Sequence, residues 1–151
     1  MKTAKPTAST RSLRVFIVED HPDALTYLAM YLRESGHHVE HAGGMVEAVE
    51  FLRHGPEWDV LLCDVNLRDG NGWQLLEQLR KYDCVPKIPI AMSGFGMGAD
   101  KAKSAAAGFA LHLVKPLDPD ELDRALEDAS RELHAKPRRP QLARAKRPRS
   151  T

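Results

Sequence analysis

Cysteine is scarce in this chain of 151 residues: Cys63 and Cys84 are the only two, too far apart for a CxxC metal or redox motif. Cys63 falls inside an apolar run, the place of a buried and reduced structural thiol. Nowhere do apolar residues continue for the roughly 20 positions that a membrane span needs. The first eleven residues, Met1 to Arg11, lack the apolar segment of a signal peptide. A reducing cytoplasm is the expected setting, with no membrane contact. The HExxH spacing of a helical zinc site is missing as well. His37, His38 and His41 follow Gly36 into a strand pattern and are expected to form an exposed cluster with no metal. Net charge is nearly absent too, at +1.

That balance conceals an asymmetry. Lys2, Lys5 and Arg11 stand in an N-terminal stretch without acids. Lys136, Arg138, Arg139, Arg144, Lys146, Arg147 and Arg149 stand in a C-terminal stretch that also has none. Taking those three and seven from 22 basic residues leaves 12 against all 21 acids, so the part between carries about −9. An acidic body with basic ends is the result.

What the sequence holds in quantity is alternation. Short apolar runs at about 14–19, 38–42, 59–63, 88–92 and 109–114 read as buried parallel strands, because helical patterns separate them. Pro22-Asp23 opens a helix with Leu25, Leu28 and Leu32 on one face, closed by Gly36. Val46, Val49 and Leu52 mark a second, stopped by Gly55-Pro56; Trp73, Leu76 and Leu79 mark a third. Between them, Asp64 to Gly72 reads as a polar loop. A glycine-rich loop, Ser93 to Gly98, leads to a short alanine-rich helix closing at Gly108. Asp118-Pro119-Asp120-Glu121 is similar to a capping box and opens the last helix, striped by Leu122, Ala125, Leu126, Ala129 and Leu133. Five strand–helix repeats predict a doubly wound α/β domain: a parallel sheet with right-handed crossovers and helices on both faces. The folded domain is expected over 13–134, after a flexible segment, 1–12. A basic, disordered tail, 135–151, holds three prolines among Arg, Lys and Ala.

In an open parallel sheet, function collects at the carboxyl ends of the strands. Four runs end there on polar residues: Glu19-Asp20, Asp64, Ser93 and Lys115-Pro116. At about 4 Å and an effective dielectric near 20, each carboxylate pair repels by about 4 kcal/mol. Glu19, Asp20 and Asp64 therefore need a counter-charge. Mg²⁺ suits them, since it takes one or two carboxylates and keeps positions open for water and phosphate oxygens. Lys115 adds a fixed cation. A carboxylate can attack phosphorus to give an acyl phosphate, and Asp64, on a central strand, is the best nucleophile. Ser93 would donate to a phosphoryl oxygen.

The segments Val-Glu19-Asp20, Cys-Asp64-Val-Asn66-Leu-Arg-Asp-Gly70, Met-Ser93-Gly94 and Val-Lys115-Pro116, in this order, resemble a response-regulator receiver domain over about residues 13–133. The resemblance implies a flavodoxin-like, five-stranded sheet in the order 2-1-3-4-5. It implies that Asp64 accepts a phosphoryl group from a sensor histidine kinase or a histidine phosphotransfer protein. Asp20 and Asp64 would bind Mg²⁺ directly, with the Asn66 carbonyl as third ligand and Glu19 acting through water. Lys115 would hold a phosphoryl oxygen, Ser93 would move toward it, and the Lys115-Pro116 bond would be cis. The protein so implied assists its own phosphorylation and dephosphorylation and is not a turnover enzyme. Its output or homodimer surface would be built by the fourth helix, fifth strand and fifth helix. Where the family carries Tyr or Phe three residues before the lysine, this chain has His112. Two readings stay open there: a titratable switch residue, or an exposed strand histidine with no role. Gly94, being small, is expected to leave the site accessible.

A single-domain response regulator acting through an unknown downstream protein is the leading expectation. The alternatives are a relay intermediate or phosphate sink, or a phospho-switched nucleic-acid binder that works through the basic tail. The tail over 136–151 is open to three readings: a solvated segment, a nucleic-acid contact, or a dock for an acidic partner. No helix-turn-helix pattern is visible in it. Gly94-x-Gly96-x-x-Ala99 fits a dinucleotide fingerprint loosely but in the fourth repeat, with acids at the end of the first strand to repel pyrophosphate. A haloacid-dehalogenase-type phosphatase would want a second acid two residues after Asp64, where Asn66 stands.

Overall fold

The computed structural model describes residues 11–94 and 98–135. The tail over 136–151, the first ten residues and the centre of the glycine-rich loop, 95–97, lie outside that description. Five parallel strands form the main sheet: β1 (Arg14–Val18), β2 (His38–Ala42), β3 (Val60–Asp64), β6 (Ile88–Ser93) and β7 (Leu111–Val114). Between β3 and β6 sits a separate antiparallel pair, β4 (Asn66–Leu67) and β5 (Gly70–Asn71). The main sheet runs β2-β1-β3-β6-β7, which is the expected 2-1-3-4-5 order once the small pair is set aside.

Alternation along each strand divides the core in two. Val15, Ile17, Val60, Leu62, Ile90, Met92 and Leu113 face α1 (Pro22–Glu34) and α5 (Pro119–His134). Phe16, Val18, Leu61, Cys63 and Ala91 face α2 (Met45–His54) and α3 (Gly72–Lys81). Both faces are covered, so β3 is buried at every position and reads in sequence as an unbroken apolar run. Its pairing is Val15 with Val60 on one side and Val60 with Ile88 on the other. α4 (Gly98–Ala107) closes at Gly108, whose φ of 113° favours glycine.

Three local expectations are corrected. The stretch after Asp64 is not a plain loop, because β4 and β5 pair within it and Gly72 already belongs to α3. A Cβ on Gly72 would stand 3.0 Å from the Asp64 carbonyl oxygen, so only glycine lets α3 start this close to β3. The capping box is at Asn71 and Gln74, whose side chains each accept from the other's backbone N–H at 2.8 and 3.1 Å. Asp118 does cap α5, through the Asp120 N–H at 3.1 Å, but no reciprocal bond from Glu121 occurs among the described residues. Finally, His37 is buried, not exposed: its Nδ1 accepts from the Leu13 N–H at 3.1 Å. His38 and His41 are exposed as expected.

Candidate functional site

The ends of β1, β3, β6 and β7 meet at one edge of the sheet. Glu19 directly follows β1, its N–H held by the Ala42 carbonyl at 3.2 Å. Its carboxylate is 1% exposed and that of Asp64 is buried, while Asp20 is half-buried. One carboxylate oxygen from each of the three lies within 4.8 Å of the others. Lys115 Nζ stands 2.6 Å from both Glu19 Oε1 and Asp64 Oδ2. Burial alone would pull the Lys115 ammonium down; its hydrogen bonds to Asp64 and Glu19, together with their charges, outweigh that and hold it above its ordinary value. The Lys115-Pro116 bond is cis, and the Lys115 N–H donates to the Ser93 carbonyl at 2.7 Å. That bond ties the ends of β6 and β7 together.

Remaining lone pairs are partly committed. Asp64 Oδ1 accepts from the Asn66 N–H at 3.0 Å, and Glu19 Oε2 from the His21 N–H at 3.1 Å. One ammonium against three carboxylates leaves the cluster at a formal −2. A hard divalent cation with oxygen ligands answers that deficit, so the donor set fits Mg²⁺. Glu19, Asp20 and Asp64 are thus brought together with Lys115. Asn66 is exposed and adjoins them through its backbone, and Gly94 follows Ser93 with no atom of the described residues within 4 Å of where a Cβ would stand.

The family profile for the response regulator receiver domain matches residues 15–127. The chain belongs to this family. It is 32% identical over 112 residues to a probable transcriptional regulator, ycf29, of Porphyra purpurea, a match that covers 74% of this chain and 53% of that protein. The chain therefore spans about half the length of that relative. Among solved structures it is similar to FixJ-N, with 25% identity and a TM-score of 0.73 over 83% of this chain and 99% of that one. It is also similar in fold to a Saccharomyces cerevisiae co-crystal structure of the histidine phosphotransfer signaling protein Ypd1 with the receiver domain of its downstream response regulator Ssk1. That match has 21% identity and a TM-score of 0.72, over 80% of this chain and 90% of that one. This protein carries a receiver domain of two-component signalling, and no helix among its described residues is long and apolar enough to cross a membrane.

Within this receiver, Ser93 is fully buried and its hydroxyl does not reach for Asp64. Its Oγ lies 2.6 Å from His112 Nε2. His112 is half-buried, not exposed, and its Nδ1 lies 3.0 Å from Ser104 Oγ. Burial pushes His112 below its ordinary value, opposed by Asp100 and assisted by Lys101. Trp73 Nε1 donates to Ser104 Oγ at 3.1 Å. Sequence reasoning missed Ser104, whose only sign is one hydroxyl in an alanine-rich helix. It also missed Asp69. The carboxylate of Asp69 accepts from the N–H groups of Met45 and Val46 at 2.7 and 3.0 Å, capping α2 from the β4–β5 turn. Arg68 Nη2 donates to the Asp20 carbonyl at 3.0 Å, so the same turn also holds the β1 end.

Proposed function

We propose that this receiver is a Mg²⁺-dependent phospho-acceptor switch with Asp64 as the acceptor. The observation that supports it is Lys115 Nζ bridging Glu19 and Asp64 at 2.6 Å beside Asp20, an arrangement that gathers charge for a charged reactant. An Asp64 carboxylate oxygen attacks the phosphorus of a phosphohistidine. An O–P bond forms, the N–P bond breaks, and the imidazole of the donor leaves with its electron pair and takes a proton from water. Glu19, Asp20, Asp64 and the Asn66 carbonyl would hold Mg²⁺, which supplies charge neutralisation on the phosphoryl oxygens. Lys115 follows the developing charge, giving up one carboxylate for a phosphoryl oxygen. Ser93 donates to another once the group is in place.

A sensor kinase or histidine phosphotransfer protein carrying a phosphohistidine is the donor that fits this reading, and a small acyl phosphate can stand in for it. A cleft of about 260 Å³ lined by Ala24, Tyr27, Leu28 and Leu117 opens at Glu19 and Lys115, which gives such a partner an apolar foothold beside the acceptor. Phosphorylation would then bias a two-state equilibrium read by a downstream protein. The test is Mg²⁺-dependent labelling by acetyl phosphate, followed by intact mass. One added phosphoryl group is expected on the wild type, absent in Asp64→Asn and absent without Mg²⁺. A folded wild type that never gains the mass, with acetyl phosphate or a phosphohistidine donor, would overturn the proposal.

A further inference from the structure

One built feature lies beyond the phosphoryl chemistry: a hydrogen-bonded chain that starts at Ser93 and leaves the crevice. It runs from Ser93 on β6 to His112 on β7, then to Ser104 on α4 and Trp73 on α3, over contacts of 2.6, 3.0 and 3.1 Å. Both serines are buried. His112 and Trp73 are half-buried, so it is at the two buried serines that an unpaired group would cost more than the bond itself.

Counting donors and acceptors shows how the chain must answer a phosphoryl group. A serine hydroxyl has one proton to give and two lone pairs to receive, and the indole N–H can only donate. One lone pair of Ser104 is therefore taken by Trp73. Once Ser93 gives its proton to a phosphoryl oxygen, its own oxygen can only accept from His112. The Nε2 atom must then carry a hydrogen. Nδ1 has two options: to accept the Ser104 proton, leaving a neutral ring, or to donate to the second Ser104 lone pair, leaving an imidazolium. The tautomer with a bare Nε2 is excluded.

Two charges nearby favour the imidazolium. A phosphoryl dianion would sit one hydroxyl away. From α4, Asp100 is buried, and its Oδ2 has no partner among the described residues. Lys101 opposes them from the same helix, and Lys103 sits 5.0 Å from the Trp73 ring at the far end of the chain. Resting on the Asp64 reading above, we propose that His112, fixed by Ser104 and Trp73, is the positioning residue that sets the direction of the Ser93 hydroxyl, and that loading Asp64 draws a proton onto its ring.

The test follows the His112 ring C–H resonance of the full chain through a pH titration, assigned by its loss in His112→Gln. It is recorded with Mg²⁺ alone and with Mg²⁺ plus beryllium fluoride as the phosphoryl mimic. The midpoint is expected to rise by about one pH unit with the mimic, the size of shift a nearby opposite charge produces. In Ser93→Ala the rise should shrink, because the charge of the mimic stays while the hydroxyl that links it to Nε2 is gone. Ser104→Ala should slow labelling by acetyl phosphate several-fold at neutral pH. A wild type that binds the mimic while His112 titrates unchanged would overturn the coupling and leave the phospho-acceptor reading standing. A wild type that takes neither mimic nor phosphoryl group would overturn both, and intact mass separates the two results.

Discussion

Lys115→Met keeps an unbranched stem and removes the one cation that, among the described residues, meets both Glu19 and Asp64. Three carboxylates then remain with oxygens inside 4.8 Å. At that spacing and an effective dielectric near 20, each pair repels by about 3.5 kcal/mol. Removing one partner of a buried ion pair costs about 3–5 kcal/mol. The Lys115 side chain is 28% exposed, so water screens part of the loss. The expected destabilisation without divalent ions is about 2–3 kcal/mol, read as a lower urea midpoint at unchanged slope. Saturating Mg²⁺ should restore much of it, because the variant site binds the cation without a competing ammonium, and binding to the folded state alone stabilises it. The gap between variant and wild type should shrink below about 1 kcal/mol. A loss that Mg²⁺ leaves unchanged, or one under about 0.5 kcal/mol, would show that Lys115 does not balance these carboxylates.

Asp69→Ala removes the oxygens that cap α2 at Met45 and Val46 and should cost about 1 kcal/mol in chemical denaturation. Those backbone N–H bonds hold the Asp69 carboxyl below its ordinary value. Its contribution is therefore present at neutral pH and lost as pH falls through the folded value, a loss the variant should not show. His37 is lowered by burial, and its Nδ1 must stay bare to accept from Leu13. The unfolded chain then binds the proton first, so stability should fall as pH drops below about 6.5. His37→Gln should flatten that slope, leaving the share of the same sign from His112; an unchanged slope would refute the assignment.

The parts of the fold legible in sequence are those where burial acts on every residue of a segment. β3 shows as Val60-Leu-Leu-Cys63 because helices cover both faces, and the Leu122, Ala125, Leu126 and Ala129 stripe of α5 shows because only one face is covered. The β4–β5 pair was illegible for the opposite reason. Its strands have two residues each, too few for any period. Asn71 and Gln74 have the same spacing as Asp118 and Glu121, and spacing alone does not decide which pair closes into a box. The burial of His37 leaves no local sign in the sequence, because it is set by the distant Leu13 N–H, which needs an acceptor just before β1.

The site divides along the same line. Glu19, Asp20, Asp64, Ser93 and Lys115 sit at strand ends, and strand ends of a parallel sheet converge whatever the intervening loops do. Ser104 and Trp73 reach the site from helix faces, and their meeting depends on how α3 and α4 pack. Yet those two give His112 its place. The resting crevice is thus held by two clasps: Lys115 across Glu19 and Asp64, and His112 upon Ser93. Both must rearrange in the proposed reaction, Lys115 by exchanging a carboxylate for a phosphoryl oxygen and Ser93 by turning its proton to another. The first clasp is electrostatic and answers to Mg²⁺. The second is a matter of hydrogen-bond direction and answers to pH. Perturbing them separately should therefore change labelling along two different axes, with Lys115→Met altering its Mg²⁺ dependence and Ser104→Ala its pH dependence.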